Sequence, residues 1–126
     1  MKIAQHTPTN YSEDRLQQEI YRWFNNTYPQ YRGLLFHVPN GGSRHSGEAK
    51  KLKFMGVYPG VADLICLING CSFLELKRPD GKGSQSKKQK DWQATVEKAG
   101  FEYIIMNDLE DTKDWINNKI AIFELL

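Results

Sequence analysis

The sequence predicts a mixed α/β domain in which helices cover both faces of a central sheet. Helical and strand-like patterns alternate along the chain, with no repeat and no low-complexity linker. The two central strand-like runs are apolar at both odd and even positions, which is typical of strands covered on both faces. A chain of 126 residues has room for one core, so we expect residues 1–126 to form a single domain.

The N-terminal part predicts a helix, a strand and a shorter helix. Ser12 is placed to cap a helix whose apolar residues recur at helical spacing until Pro29. An apolar, β-prone run at residues 34–38 predicts the first strand, since a turn cluster rich in Asn and Gly follows it. A short helix is expected over residues 46–55, ending at Gly56.

The C-terminal half predicts a helix, a strand and a last helix. Ser86 and Gln89 have the spacing of a capping box, and a helical apolar face follows them. Residues 102–106 predict a strand, and residues 108–118 predict the last helix. Residues 120–126 form an apolar tail that is compatible with strand or coil.

Between these halves lie two apolar runs, residues 62–68 and 71–77, separated by Asn69 and Gly70. Such a break predicts an antiparallel hairpin.

Composition excludes several classes of protein. Hydrophobic residues make up 40% of the chain, and no stretch is long enough to span a bilayer, so we expect no membrane partner. Cys66 and Cys71 lie in apolar runs, and two thiols are too few for a disulfide framework or a zinc site, so we interpret both as core residues. No export signal is visible in the first ten residues, and we expect a cytoplasmic protein.

Charge is distributed unevenly along the chain. The net charge is +2, but residues 32–90 carry eleven Lys or Arg against four acids, whereas residues 91–126 carry three against eight. A basic segment of this kind suits a polyanion, and a solvated lysine-rich surface accounts for it equally well.

Three charged residues lie within the apolar hairpin. Asp63 stands at the start of one strand, and Glu75 and Lys77 lie two apart near the end of the next, which places these two on one face. Burying such groups costs several kcal/mol unless they are paired or bind a metal. Two carboxylates and a lysine suit phosphodiester hydrolysis, in which the carboxylates hold Mg²⁺ and the ammonium positions water. A Glu75–Lys77 salt bridge with Asp63 capping a turn is equally compatible with the spacing.

A set of short segments occurs in a specific order, and together these segments span residues 13–100. They are Glu19 in the first helix, residues 38–42 with Arg44, residues 53–56, residues 60–64, residues 75–77 and residues 86–89. In this order they resemble the VRR-NUC (virus-type replication-repair nuclease) branch of the PD-(D/E)XK nucleases. One departure is Ala62, where the superfamily often has proline before the metal-binding aspartate; that position shapes the turn and binds nothing.

The resemblance implies a restriction-endonuclease-like core and a DNA endonuclease that needs Mg²⁺, with Mn²⁺ also supporting activity and no small-molecule cofactor. The residues that it assigns to metal binding are Asp63, Glu75, the Leu76 carbonyl and Glu19. It further implies that Lys77 orients the attacking water and that Gln89 supports the site. Glu19 lies at the edge of the apolar stripe of its helix, so it is also compatible with a surface salt bridge to Arg15 or Arg22. Gln89 is equally compatible with a purely structural role in capping its helix.

Candidate nucleic-acid contacts lie in the basic middle of the chain. They are Asn40, Arg44, Lys53, Lys82, Lys87 and Lys88. The loop at residues 40–45 offers backbone N–H groups and a guanidinium, which suit phosphate. His37 is interpreted as a core histidine.

Stand-alone domains that resemble this family occur in phages and bacteria and act on branched DNA such as four-way (Holliday) junctions. We expect a homodimer, since one chain holds one active centre and coupled cuts in two strands need two. Two alternatives stay open: a non-cutting DNA-binding module of the same fold, and a nickase or flap nuclease component of a restriction or replication complex.

A shared metal site requires one particular hairpin register. A two-residue turn at Asn69 and Gly70 would place Asp63 opposite Leu76 and turn the two carboxylates to opposite faces. We therefore predict that Asp63 lies opposite Glu75, with a three-residue loop over residues 68–70 and Gly70 left-handed in a G1 bulge. A strand distortion beside Asp63 is the alternative route.

Overall fold

The computed structural model describes residues 7, 8, 10–39 and 46–126. The described helices are α1 (Glu13–Thr27), α2 (Ser46–Phe54), α3 (Lys87–Lys98) and α4 (Leu109–Glu124), with a short 3₁₀ helix at Pro29–Tyr31. The described strands are β1 (Leu35–His37), β2 (Leu64–Cys66), β3 (Ser72–Leu76) and β4 (Glu102–Met106).

The strands form one mixed sheet in the order β1-β2-β3-β4. The β1–β2 and β2–β3 pairs are antiparallel, and β3 pairs with β4 in parallel after the chain crosses over through α3. This arrangement confirms the predicted α/β class with a central mixed sheet.

Each face of the sheet buries a different apolar cluster. On one face, Leu74 and Leu76 pack in a core with Ile20 of α1 and Ile116 of α4. On the other face, a smaller cluster joins β3 and β4 to α3; its members are Ala62, Val96 and Tyr103, with Phe73 and Trp92 packed against them. The apolar character of both faces of β3, read from the sequence, follows from this double coverage.

Side-chain caps define where two of the helices begin, as predicted. The Ser12 hydroxyl accepts a hydrogen bond from the Arg15 N–H at 3.0 Å. At the start of α3, the Ser86 hydroxyl accepts from the Gln89 N–H at 3.2 Å, and Gln89 Oε1 accepts from the Ser86 N–H at 2.9 Å, which completes the capping box.

The hairpin has the register that the shared site requires. Leu64 pairs with Leu74 and Cys66 with Ser72, and continuing this register by one residue sets Asp63 opposite Glu75. Gly70 is left-handed (φ 100°), as predicted, but Asn69 is left-handed as well (φ 53°), which a G1 bulge did not require. Asn adopts this conformation more readily than other side chains. The register, the loop over residues 68–70 that it leaves and the left-handed Gly70 are therefore as predicted, whereas the left-handed Asn69 was not predicted.

Two expectations are wrong. The tail at residues 120–126 is helical up to Glu124, because Ile120 lies one turn after Ile116 and is buried in the same core. His37 is exposed and is therefore not a core histidine.

The two cysteines were both expected in the core, and both are free thiols. Cys66 is buried, as expected, whereas Cys71 is only half-buried.

Gly60 allows the backbone before β2 to touch the first turn of α3. Its φ is +83°, and an added Cβ would lie 2.4 Å from the Lys88 carbonyl oxygen. We expect Gly60→Ala to destabilise the fold by about 2 kcal/mol or more, because it adds a backbone clash to the strain of a left-handed residue. Thermal or urea unfolding measures this loss.

The matched control is Gly81→Ala. Gly81 has a similar φ of +76° and nothing within 4 Å of its added Cβ. Equal losses in the two variants would show that the close approach of Gly60 to α3 contributes nothing.

In the described part of the chain, no helix combines the length and the apolar character that crossing a membrane requires.

Candidate active site

Asp63, Glu75 and Lys77 come together where β2 begins and β3 ends. Glu75 lies within β3, Lys77 follows its last residue, and Asp63 immediately precedes β2. Glu75 is 1% exposed and Lys77 is 8% exposed, whereas Asp63 is half-buried. Ionisable side chains at this depth need partners, and the structure supplies them as follows.

Asp63 is held through both its side chain and its backbone. Its Oδ2 accepts a hydrogen bond from the Leu76 N–H at 2.7 Å, which ties the carboxylate to the end of β3. Its carbonyl oxygen lies 2.6 Å from Nδ1 of His37 in β1. Because a carbonyl can only accept, Nδ1 carries the proton of this hydrogen bond.

The Leu76 carbonyl points toward the same edge as Asp63. The neighbouring Lys77 N–H donates to the Met106 carbonyl of the β4 side at 2.9 Å, whereas the Leu76 N–H donates to Asp63 on the β2 side. In a strand, the N–H and C=O of one residue point to the same side, so this carbonyl faces the β2 side.

Gln89 connects the start of α3 to both Lys77 and Glu75. Its Oε1 accepts from Lys77 Nζ at 2.9 Å and from the Ser86 N–H at 2.9 Å. Its Nε2 donates to Glu75 Oε1 at 3.3 Å. Because Oε1 accepts from two donors, the amide nitrogen is the atom that faces the Glu75 carboxylate. Gln89 therefore caps α3 and at the same time binds Lys77 and Glu75.

Tyr103 of β4 reaches the other oxygen of Glu75. Its hydroxyl donates to Glu75 Oε2 at 2.7 Å in a buried contact. Gln85 Nε2 donates to that hydroxyl at 3.3 Å and to Gln93 Oε1 at 2.9 Å. The polar chain thus runs from the loop before α3 through Tyr103 to Glu75.

The pKa of Glu75 is raised to about 7, first by burial and then by the hydrogen bond and like charge of Asp63, against the opposing effects of Tyr103 and Lys77. Burial, followed by the hydrogen bond to Glu75, also raises the pKa of Tyr103, so the phenol keeps its proton. Two carboxyl groups therefore meet in a place where one of them tends to hold a proton near neutrality.

These donors fit a hard divalent cation. The carboxyl groups of Asp63 and Glu75 are neighbours and the Leu76 carbonyl faces the side of Asp63, so a cation held by these oxygens would offset the repulsion that raises the pKa of Glu75. The described residues include no group of three or more His, Cys, Asp or Glu side chains suited to a metal. A cation here would complete its oxygen shell with water, as Mg²⁺ commonly does.

The structure does not bring Glu19 to this cluster. Glu19 pairs with Arg22, whose hydrogen bond lowers the pKa of the Glu19 carboxyl. Gln17 lines the cleft described below, and Glu19 lies two residues later, about 200° around the helix. The surface pairing that the sequence left open for Glu19 is the one observed.

An open cleft of about 850 Å³ reaches the cluster at Asp63 and Gln89, whereas Glu75 and Lys77 do not line it. Asp63 and Gln89 line it, together with His37 of β1, Lys53 of α2 and Lys88 of α3. The cleft therefore has an acidic centre with lysines from two different helices on its walls.

The remaining basic candidates are placed differently. Lys87 is exposed and pairs with Asp91 at 2.8 Å, and Lys82 is exposed in the loop after β3. Asn40 and Arg44 lie outside the described residues.

Comparison with known proteins gives a fold match. A solved structure described as "VRR_NUC domain protein" superposes on this chain with a TM-score of 0.70 and 23% identity. The match covers 89% of this chain and 90% of the other. The chain has the VRR_NUC fold. No family model matches the sequence, and no curated protein matches it.

Within the VRR_NUC fold, some residues of the site escaped the sequence analysis. Tyr103 looks like an ordinary β-prone residue, and its contact with Glu75 depends on the parallel pairing of β3 and β4, which no local turn specifies. Gly60 belongs to the quoted segment at residues 60–64, but its contact with α3 is a tertiary feature that the sequence did not indicate.

Proposed function

We propose that this protein is a metal-dependent DNA endonuclease that hydrolyses phosphodiester bonds. One observation carries the proposal: the nearly buried Glu75 and Lys77 are hydrogen-bonded to Gln89, and Gln89 and Asp63 line an open cleft that Lys53 and Lys88 also line. The VRR_NUC fold of the chain agrees with it. A salt bridge with a purely structural role does not account for two carboxyl groups brought together, with the pKa of Glu75 raised by burial and by its neighbour Asp63.

Asp63, Glu75 and the Leu76 carbonyl are the groups that would hold the metal. A bound Mg²⁺ or Mn²⁺ supplies Lewis acidity, which polarises the phosphate and makes a water molecule more acidic. Lys77, fixed by Gln89, places an ammonium beside the carboxylates, where it orients water and offsets negative charge on the phosphate. Gln89 is a supporting residue, because it holds Lys77 and Glu75 rather than the substrate.

DNA is the proposed substrate because Lys53 and Lys88 line the same cleft as Asp63, and lysines beside a carboxylate centre suit contacts with backbone phosphates. We propose branched DNA, including four-way junctions, as the preferred form. We also propose a homodimer, since coupled cuts in two strands need two centres and each chain supplies one Asp63, Glu75 and Lys77 set.

The test uses purified protein with labelled four-way junction, flap, duplex and single-stranded DNA, each in Mg²⁺, Mn²⁺ or EDTA. We expect cleavage of the junction in either metal, none in EDTA, and a dimeric mass by sedimentation. Cleavage in EDTA would show that the reaction does not depend on a divalent metal. Binding without cleavage in every metal would instead indicate a non-cutting module.

The structure separates two neighbouring lysines that the sequence treats alike. Both are exposed, but Lys88 lines the cleft, whereas Lys87 does not line it and is paired with Asp91. We expect Lys88→Ala to weaken DNA binding severalfold for all sequences and to lower the slope of log affinity against log salt by about one, as loss of one phosphate contact does. Fluorescence anisotropy across a salt series measures both.

Lys87→Ala is the matched control, with the same change of charge one residue away. A salt slope that falls equally in both variants would show that general charge, and not a contact in the cleft, attracts the DNA.

A further inference from the structure

The hydroxyl of Tyr103 has its direction set by its neighbours. Gln85 Nε2 donates to this oxygen at 3.3 Å, so the phenolic proton is left to point elsewhere. It points at Glu75 Oε2, 2.7 Å away. Tyr103 is 7% exposed and Glu75 is 1% exposed, so bulk water does not compete for this hydrogen bond.

The two oxygens of Glu75 are held unequally. Oε2 accepts the short bond from Tyr103, whereas Oε1 accepts a longer one of 3.3 Å from Gln89. The longer contact is the weaker one and is the more easily exchanged. One oxygen is therefore anchored, and the other remains adaptable.

We infer that Tyr103 is a positioning residue for the proposed metal site: it anchors Glu75 Oε2 so that Oε1 is the oxygen offered to a cation. The inference rests on the proposed function and adds to it a residue from β4, outside the segments that carry the resemblance to nucleases. Without the anchor, the Glu75 side chain would have to be ordered at the moment of binding, and that cost would appear as weaker metal affinity.

The experiment compares wild type with Tyr103→Phe, which removes one hydroxyl and keeps the ring that packs against Trp92. Mn²⁺ binding is measured without DNA, by calorimetry or electron paramagnetic resonance. Cleavage is measured against Mg²⁺ concentration. We expect Mn²⁺ affinity to fall about tenfold and the half-saturating Mg²⁺ to rise by a similar factor, while the rate at saturating Mg²⁺ changes much less.

Tyr31→Phe is the matched control. It removes another tyrosine hydroxyl that donates to a carboxylate, that of Glu124, at 2.9 Å. We expect its Mn²⁺ affinity and its Mg²⁺ dependence to equal those of wild type. Should Tyr103→Phe fail to fold, Gln85→Ala carries the test, because it removes the donor that directs the hydroxyl and should weaken Mn²⁺ binding in the same direction.

The outcomes are distinguishable. Wild-type affinity in the Tyr103 variant, in a protein that binds Mn²⁺ and cuts DNA, overturns the positioning role and leaves the proposed function intact. A loss of rate at saturating Mg²⁺ with unchanged Mn²⁺ affinity also overturns it. A wild-type protein that binds no Mn²⁺ overturns both the inference and the function on which it rests.

Discussion

Lys77→Ala should lower the rate of DNA cleavage by about a hundredfold or more while DNA binding persists. Lys77 is 8% exposed, and its ammonium group donates to Gln89 beside two carboxyl groups. Removing it leaves in place the oxygens that would hold the metal and takes away the cation that we propose to orient water and offset charge on the phosphate. Single-turnover cleavage at saturating Mg²⁺, with anisotropy for binding, separates the two effects.

Lys113→Ala is the control for this experiment. Lys113 pairs with Glu110 on α4, which covers the opposite face of the sheet, and its loss should leave cleavage unchanged. Cleavage at the wild-type rate in the Lys77 variant would exclude Lys77 from the chemistry.

The metal-free protein should lose stability as the pH rises from about 4.5 to about 7, and Glu75→Gln should abolish most of that loss. Burial, with Asp63 next to it, raises the pKa of Glu75 in the folded protein to about 7 from its ordinary value of 4.5. The stabilising effect of the bound proton is complete below the lower of these values and disappears as the pH passes the higher one. The difference corresponds to about 3 kcal/mol of unfolding free energy.

Urea unfolding in EDTA at several pH values measures this effect, taken as the difference between wild type and Glu75→Gln. The groups that face Glu75 are Asp63, Lys77, Gln89 and Tyr103, and all four are kept in the variant. Glu97→Gln, an exposed carboxylate of α3, is the control and should follow wild type. Parallel stability profiles for wild type and the Glu75 variant would show that the carboxyl group is not perturbed.

Added Mg²⁺ should offset the loss in wild type at neutral pH and above, because a ligand that binds only the folded state stabilises it in proportion to its occupancy. The Glu75 variant should gain less. An equal gain in both would mean that the cation binds elsewhere.

The sequence alone was sufficient for features that depend on neighbouring residues. The caps at Ser12 and Ser86, the strand at residues 102–106 and the hairpin register each follow from local hydrogen-bonding chemistry or from the two-residue period of strands. The register prediction was the most informative, because a shift of one residue in the pairing of β2 with β3 decides whether Asp63 and Glu75 face each other. The length of α4 was underestimated. Burial of Ile120 in the core, rather than a local stop signal, determines how far that helix continues.

The tertiary structure decided the features that depend on contacts between distant segments. Tyr103 meets Glu75 through a parallel pairing made after a crossover of about 25 residues, and no local signal encodes such a pairing. Glu19 lies near an apolar stripe in the sequence, yet the packing of α1 directs Gln17 to the cleft and leaves Glu19 with Arg22. The sequence therefore determines which chemical groups are available to a site. The packing of helices and strands determines which of those groups meet, because a helix rotated by a fraction of a turn presents a different side chain to the cleft.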